Sequence, residues 1–446
     1  MMEKSLEEMA EAIWRKGVKA VDPAPAVFDF LTLNPALAAA LNKTNRLLVI
    51  GGGKACAAMA LGLERFLLAS QANWQGQVNV PEGNYPSLKK IMIQEVRPVG
   101  ENQPTPKAVL ETRRMLSLVE NSQPGDGVIC LLSGGGSALL VSPVASISLE
   151  EKRLATALLS LHGATINELN CVRKHLSEFK GGRLGETFVK SPGGKGLFLG
   201  LVLSDVVGDP LDVIASGPAV PDPTTFADAH KVIQSHGLIE KLPASVMNHL
   251  RLGMEGKIAE TPKEGWPNFE THLIGNNAKA LGAAVQAAVD LGFDVINLGP
   301  GLAGATTDAA SLQMQAQESA IKFRHLSGRP LCLLSGGETT VDLGPNPGKG
   351  GRNQEMALEM LVLMSQRGLR NCVYLAGGTD GEDGPTDAAG AFAHKGIWEK
   401  ALVLGLEPGN FLQRHDSYSF FEKAGGLFKP GPTGTNVMDL RILLCR

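Results

Sequence analysis

The chain has 446 residues, 43% hydrophobic and 20% charged, with a formal net charge of −3. That length allows two or three domains, each with its own core. The charge balance offers no general attraction for a nucleic-acid backbone or an anionic membrane, so neither is expected as a partner and any anion site must be local.

Glycine is the outlier, with 53 residues against a usual ~7%, and much of the excess follows short apolar runs. No apolar run approaches the ~20 residues that span a bilayer, and the expected location is the cytoplasm. Cys56, Cys130, Cys171, Cys332, Cys372 and Cys445 lack C-x-x-C or zinc-finger spacing. Several lie inside apolar runs and read as buried reduced thiols, and no disulfide framework is expected.

The opening "MMEKSLEEMAEAIWRKG" places Leu6, Met9, Ala10 and Ile13 at helical spacing and has no secretory h-region. "RLLVIGGGKACAAM", from Arg46, reads as a buried strand, a glycine turn and a helix. Gly52, Gly53 and Lys54 sit at the turn, where a helix N-terminus attracts anions. It is not a Walker A loop, and as a dinucleotide fingerprint it supplies only G-x-G-x-x-C. "CLLSGGGSALL", from Cys130, leads a second strand into Ser133, Gly134, Gly135, Gly136 and Ser137. Successive amides and two hydroxyls there suit an anion cradle. Leu139 replaces the last glycine of a nucleophile elbow, which weakens a hydrolase assignment.

Ser148 with Glu151, and Thr165 with Glu168, form capping boxes that predict two helix starts. The second helix is expected over about Ile166–Phe179, with Leu169, Val172, Leu176 and Phe179 as its apolar stripe. Asn170, Arg173, Lys174 and Ser177 fall on another face, with Lys180 near the end; such a face is ordinarily solvated. "LSDVVGDPLDVIASGP" puts Asp205 at a strand end and Asp209 four residues on. Acids there either hold Mg²⁺ or cap turns.

The stretch from Pro221 to Pro267 is polar and proline-rich, and it suggests two domains, 1–240 and 241–446. Beyond it come "THLIGN", ending at Asn276, "DVINLG", and a second "CLLSGG" running into Glu338. The repeated six residues read as a buried strand and its turn, used once in each domain. "GKGGRNQEMALEML" delivers Arg352 and Asn353 to a helix start, where a guanidinium suits a phosphate or carboxylate. "GGTDGEDGPTDAAGA" gathers Asp380, Glu382, Asp383 and Asp387 in one loop, but the EF-hand pattern fails at Gly384. Apolar strands alternating with helices argue for an α/β fold with mainly parallel strands. Ligands in such folds bind beyond the strand carboxyl ends.

"LLSGGGSAL", "ATINELNCVRKHLSEFKGGRL", "LVLSDVVGDPLDVIASGP", "GGRNQEMAL", "GGTDGEDGPTDAAGA" and "TGTNVMD" together resemble the glycerate 2-kinase family of the MOFRL type, from about Ile50 to Asp439. At Glu101–Lys107 the chain departs, reading "ENQPTPK" where the family pattern carries a histidine and an aspartate.

The resemblance implies two α/β/α domains with an active site in the cleft between them. The N-terminal sheet would be Rossmann-like and mainly parallel, the C-terminal MOFRL-type sheet mixed. It implies phosphoryl transfer from ATP, with Mg²⁺, to D-glycerate, giving 2-phosphoglycerate and ADP. Lys54, Arg352 and Asp205 are then the catalytic candidates. Gly52, Gly53, Ser133–Ser137, Asn170, Arg173, Lys180, Asp209, Asn276, Glu338, Asn353 and Asp380 are the binding candidates. Asp205 and Asp380 are the candidate metal ligands, and a homodimer is left open. An NAD(P)H-dependent hydroxypyruvate reductase and a non-catalytic metabolite sensor are the rival functions.

Overall fold

The computed structural model describes residues 5–70, 72–98, 101, 103–324 and 328–446. Asn102, inside the departing "ENQPTPK" stretch, lies outside them. The chain forms two compact units, Pro23–Ile274, and Met1–Asp22 together with Gly275–Arg446.

The first unit is built on strands β1 (Arg46–Gly52), β2 (Trp74–Pro81), β3 (Ile91–Arg97), β4 (Asp126–Leu132), β5 (Phe198–Leu203) and β6 (Phe269–Gly275). Their order across the sheet is β3-β2-β1-β4-β5-β6, and the β3–β2, β2–β1, β1–β4 and β4–β5 pairs are parallel. β1, β4 and β5 are apolar and buried along almost their whole length, as strands covered on both faces must be. Leu48, Ile50, Val128, Cys130 and Phe198 pack there with Phe179 and Phe188. Phe198 stacks on Phe269 of β6, with ring centroids 4.4 Å apart.

A second apolar cluster joins Leu169, Val172 and Leu176 to Phe226, Ile233, Val246 and Leu250. It ties the helices Phe226–Ser235 and Ala244–Met254 to the first unit. The two compact units divide between Ile274 and Gly275, at the last residue of β6.

The other unit holds a mixed sheet of β7 (Asp294–Asn297), β8 (Leu302–Ala305), β9 (Leu331–Thr340), β10 (Cys372–Gly378), β11 (Gly390–His394), β12 (Leu427–Phe428) and β13 (Asp439–Cys445). The order is β12-β11-β10-β13-β9-β7, with β8 also on β9. β7 and β8 run parallel to β9, and the other pairs are antiparallel. The amphipathic helix Leu6–Lys19 belongs here: Met9, Ala10, Ile13 and Trp14 are buried, and Trp14 Nε1 donates to Gly377 O at 3.1 Å.

Three local expectations change. The second "CLLSGG" copy does not end in a turn, because β9 runs on through it to Thr340. Its glycines admit neighbours instead: a Cβ on Gly336 would lie 1.7 Å from Asn277 Oδ1. The capped helix after Thr165 stops at His175, and Ser177 Oγ then accepts from the Phe179 and Lys180 amides. Cys372 and Cys445 face each other across β10 and β13 and are disulfide-bonded, whereas Cys56, Cys130, Cys171 and Cys332 are buried thiols. Among the described residues, no single helix is long and apolar enough to cross a membrane.

Candidate active site

In the first unit the strand order reverses between β1 and β4, and ligands of open α/β sheets bind outside such a point. Lys54 follows the end of β1, Ser133–Ser137 follows β4, and Asp205 follows β5. Sequence had singled out all three. Lys54 N–H donates to Gly134 O at 2.8 Å, and Ala55 N–H donates to Ser133 Oγ at 3.0 Å. Gly52 and Gly53 are buried at this junction, and Lys54 is exposed. Gly134 lets Asp205 approach closely: an added Cβ would lie 2.1 Å from Asp205 Oδ2. The turn thus presses the strand-end carboxylate into place.

The cradle is smaller than its sequence suggests. Gly135 adopts φ 77° and opens a four-residue helix, Gly136–Leu139. Gly136 N–H donates back to Ser133 O at 3.2 Å, which removes one amide from ligand binding. Ser137 Oγ lies 3.0 Å from Ser216 Oγ, and Ser216 donates to Asn170 Oδ1 at 3.1 Å. Arg173 Nη1 donates to the same oxygen at 3.4 Å, and Lys180 Nζ reaches Ser137 O at 3.0 Å. The supposedly solvated helix face is therefore an interior one. Lys174, on that face, pairs with Asp222 at 3.2 Å and Asp212 at 3.1 Å and serves the fold. Asp209 sits in a left-handed turn (φ 54°), its amide donating to Val206 O, so it follows the turn-forming alternative.

In the other unit Arg352 opens the helix Arg352–Gln366. Asp439 receives it through two bonds, Nε to Oδ2 at 2.8 Å and Nη2 to Oδ1 at 2.9 Å. Glu338 lies 2.8 Å from Nη1. Arg441 Nη2 and Asn353 Nδ2 also donate to Asp439, at 3.0 and 2.9 Å. Burial works against the charge on Arg352, but Asp439 outweighs it and holds the guanidinium above its ordinary pKa. Burial would likewise raise Asp439, yet Arg352 and Arg441 keep it below the usual carboxylate range. Burial lifts Glu338, with Arg352 opposing. The Glu338 side chain is 41% exposed, whereas that of Asp439 is fully buried.

The acidic loop does not assemble as a metal cluster. Among the described residues, no group of three or more His, Cys, Asp or Glu side chains is arranged to hold a metal. Asp383 is buried and accepts from the amides of Asn353 (3.0 Å) and Gln354 (2.9 Å), capping the Arg352 helix. Asp380 accepts from the Glu382 amide within its own turn, and Asp387 binds Tyr418 and Lys429. Asn276 caps the helix Asn277–Asp290, and its neighbour Asn277 donates to the carbonyls of Val437 and Asp439. Sequence reasoning missed Asp439, Arg441 and the capping role of Asp383. The one available signal was Asp439 as the last residue of "TGTNVMD", opening an apolar run.

Two family models match the chain. One described as a domain of unknown function (DUF4147) matches residues 9–251, and one described as the MOFRL family matches residues 331–439. The chain is 36% identical over 449 residues to the glycerate 2-kinase of Pyrococcus horikoshii, covering 100% of this chain and 98% of that one. It is 38% identical over 440 residues to the D-glycerate 2-kinase of Thermotoga maritima, covering 98% of each. The crystal structure of glycerate kinase from Thermotoga maritima matches with a TM-score of 0.84 at 36% identity, over 99% of each chain. The two family segments, the full-length relatives and the shared fold together make this chain a member of the MOFRL-type glycerate kinase family.

Proposed function

We propose that this protein is a glycerate 2-kinase that transfers the γ-phosphoryl group of ATP, supplied as its magnesium complex, to the 2-hydroxyl of D-glycerate. The products are 2-phosphoglycerate and ADP. The carrying observation is the convergence of Lys54, the Ser133–Ser137 turn and Asp205 at the switch point of a parallel sheet. Such transfer relies on positioning and on cations placed against the migrating charge.

Under this proposal Lys54 meets the phosphoryl oxygens. Arg352, held on one edge by Asp439, offers its remaining N–H groups to the glycerate carboxylate as Glu338 yields. The bond from the γ-phosphorus to the bridging oxygen of ADP breaks as the 2-oxygen of glycerate bonds to phosphorus, and the hydroxyl proton passes to Asp205. Mg²⁺ would arrive with the nucleotide, held by its phosphate and water oxygens, and Asp205 is kept for the proton.

Product identification tests the proposal. Purified protein with Mg-ATP and D-glycerate should form ADP and 2-phosphoglycerate in equal amounts. Oxidation of NADH by hydroxypyruvate without ATP use would replace it with the reductase function. Binding without turnover would replace it with a sensor. The enzyme is further proposed to work in the cytoplasm, which fractionation checks.

A further inference from the structure

The first unit contains a cavity of about 360 Å³ bordered by the helix Leu149–Leu161, the Gly135–Ala138 turn and the end of β3. Arg97, Lys152, Arg153, Arg173 and Lys180 line it, and among the described residues no aspartate or glutamate does. Three of these cations are deeply buried: Arg97 and Lys152 are 4% exposed and Lys180 is 1% exposed.

Their hydrogen bonds orient them without cancelling their charge. Lys152 Nζ donates to the carbonyls of Leu176 (2.8 Å) and Arg173 (3.3 Å). Lys180 Nζ donates to those of Ser137 (3.0 Å) and Ala215 (3.4 Å). Arg153 Nε donates to the Gln103 amide oxygen at 3.0 Å, and Arg97 Nε has no hydrogen-bond partner among the described residues. Glu101 attracts Arg97 and Glu178 attracts Lys152, but neither lines the cavity.

Crowding desolvated like charges opposes folding unless an anion compensates. Burial pulls the Lys152 and Lys180 ammonium groups down, so both hold full charge only beside an anion; glycerate, with one negative charge, is a poor match for five such basic groups, whereas a phosphate chain spreads several charges over many acceptor oxygens. The cavity also adjoins the catalytic lysine: a Cβ on Gly135, which lines it, would lie 3.5 Å from Lys54 Cγ. A chain seated among the cations would end at Lys54. We infer that this cavity is the seat of the phosphate chain of a nucleoside triphosphate, with Lys152 and Arg153 as ligands outside the family motifs. This inference rests on the kinase function proposed for the chain.

Calorimetric titration of the full-length protein with inorganic tripolyphosphate, ADP, 2-phosphoglycerate and D-glycerate tests it, repeated on Arg153→Gln and Lys152→Met. Wild type is expected to bind tripolyphosphate and ADP. Arg153→Gln should weaken both about tenfold, as for loss of one charge-assisted contact, and leave glycerate affinity unchanged. Lys152→Met should weaken them further. If Lys152→Met does not fold, as judged by circular dichroism, the half-buried Arg153 carries the test.

Absence of tripolyphosphate binding to wild type, or equal binding to Arg153→Gln, overturns the assignment. So does a loss confined to 2-phosphoglycerate, which would give the cavity to the phosphorylated acid. Tripolyphosphate binding sensitive to Arg153 in a protein that makes no 2-phosphoglycerate would overturn the kinase function and support the phosphate site.

Discussion

Asp439 carries two guanidinium groups at once: Arg352 through the 2.8 and 2.9 Å pair, and Arg441 at 3.0 Å. Asp439 and Arg441 are both fully buried. Asp439→Asn keeps the shape and removes the charge, leaving Arg441 buried without its counter-ion. The expected loss of stability is about 3–5 kcal/mol, the usual cost of breaking a buried pair from one side, read from urea unfolding. Turnover should fall too, since Arg352 would lose one of its two bonds and the charge that holds it. Unchanged stability would show that the pair does not act as a unit.

Lys54→Ala and Arg352→Ala should each lower kcat by roughly 10²–10³-fold, the scale of losing one preorganised group that meets transition-state charge. Lys54 is exposed, so its variant should unfold at the wild-type temperature. Arg352→Lys should not restore activity, because an ammonium cannot make the two-pronged contact with Asp439. Steady-state kinetics and thermal melts on the three variants check this, and near-normal rates in the alanine variants would remove both residues from the site.

Gly134→Ala forces a methyl group to within 2.1 Å of Asp205 Oδ2, so the carboxylate must move. A displacement near 1 Å at a reacting group can cost about 10²-fold in rate. The expected signature is a large fall in kcat with a small change in melting temperature. Asp205→Asn should show a similar fall, and the double variant should add little to either.

Burial, with Arg173 nearby, pulls the Lys152 ammonium down to about 7. In the unfolded chain a lysine titrates near ~10.4. Below pH 7 both states are charged and the folded state bears the full burial cost. Between about 7 and 10.4 the unfolded chain holds a proton that the folded chain has lost, so Lys152 makes stability rise with pH, by at most about 1.4 kcal/mol per unit. Denaturant unfolding of wild type and Lys152→Met across this range should diverge, with wild type gaining on the variant as pH rises. Lys180 is shifted the same way, by burial and in part by Lys152, so Lys152→Met also relieves Lys180 and the divergence reads the pair. Parallel profiles would show that Lys152 does not titrate there.

Strand-end features were the legible part of this protein. Lys54, Ser133–Ser137 and Asp205 each follow a continuous apolar run, and chain direction alone brings the carboxyl ends of neighbouring parallel strands together. The capping boxes at Ser148 and Thr165 were legible for a similar reason, since both partners lie within one turn. The charge network around Arg352 was not. Asp439 is 87 residues away and Asp383 is 30 residues from Asn353, and only the antiparallel pairing of β9, β10 and β13 brings such positions together. The polar face of the Thr165 helix was misjudged because a 3.6-residue period locates a face without saying what covers it.

The Trp14–Gly377 bond joins residues 363 positions apart, and the helix bearing Trp14 completes the core on which β10 and β13 lie. During synthesis at roughly 5–20 residues per second, that helix emerges many seconds before its partners exist. Pro23–Ile274 can finish folding in the interval, while the apolar face of Met9, Ile13 and Trp14 stays uncovered. An intermediate of that kind would pair a folded middle with an uncovered apolar helix, and chaperones that shield nascent apolar helices should engage Leu6–Lys19.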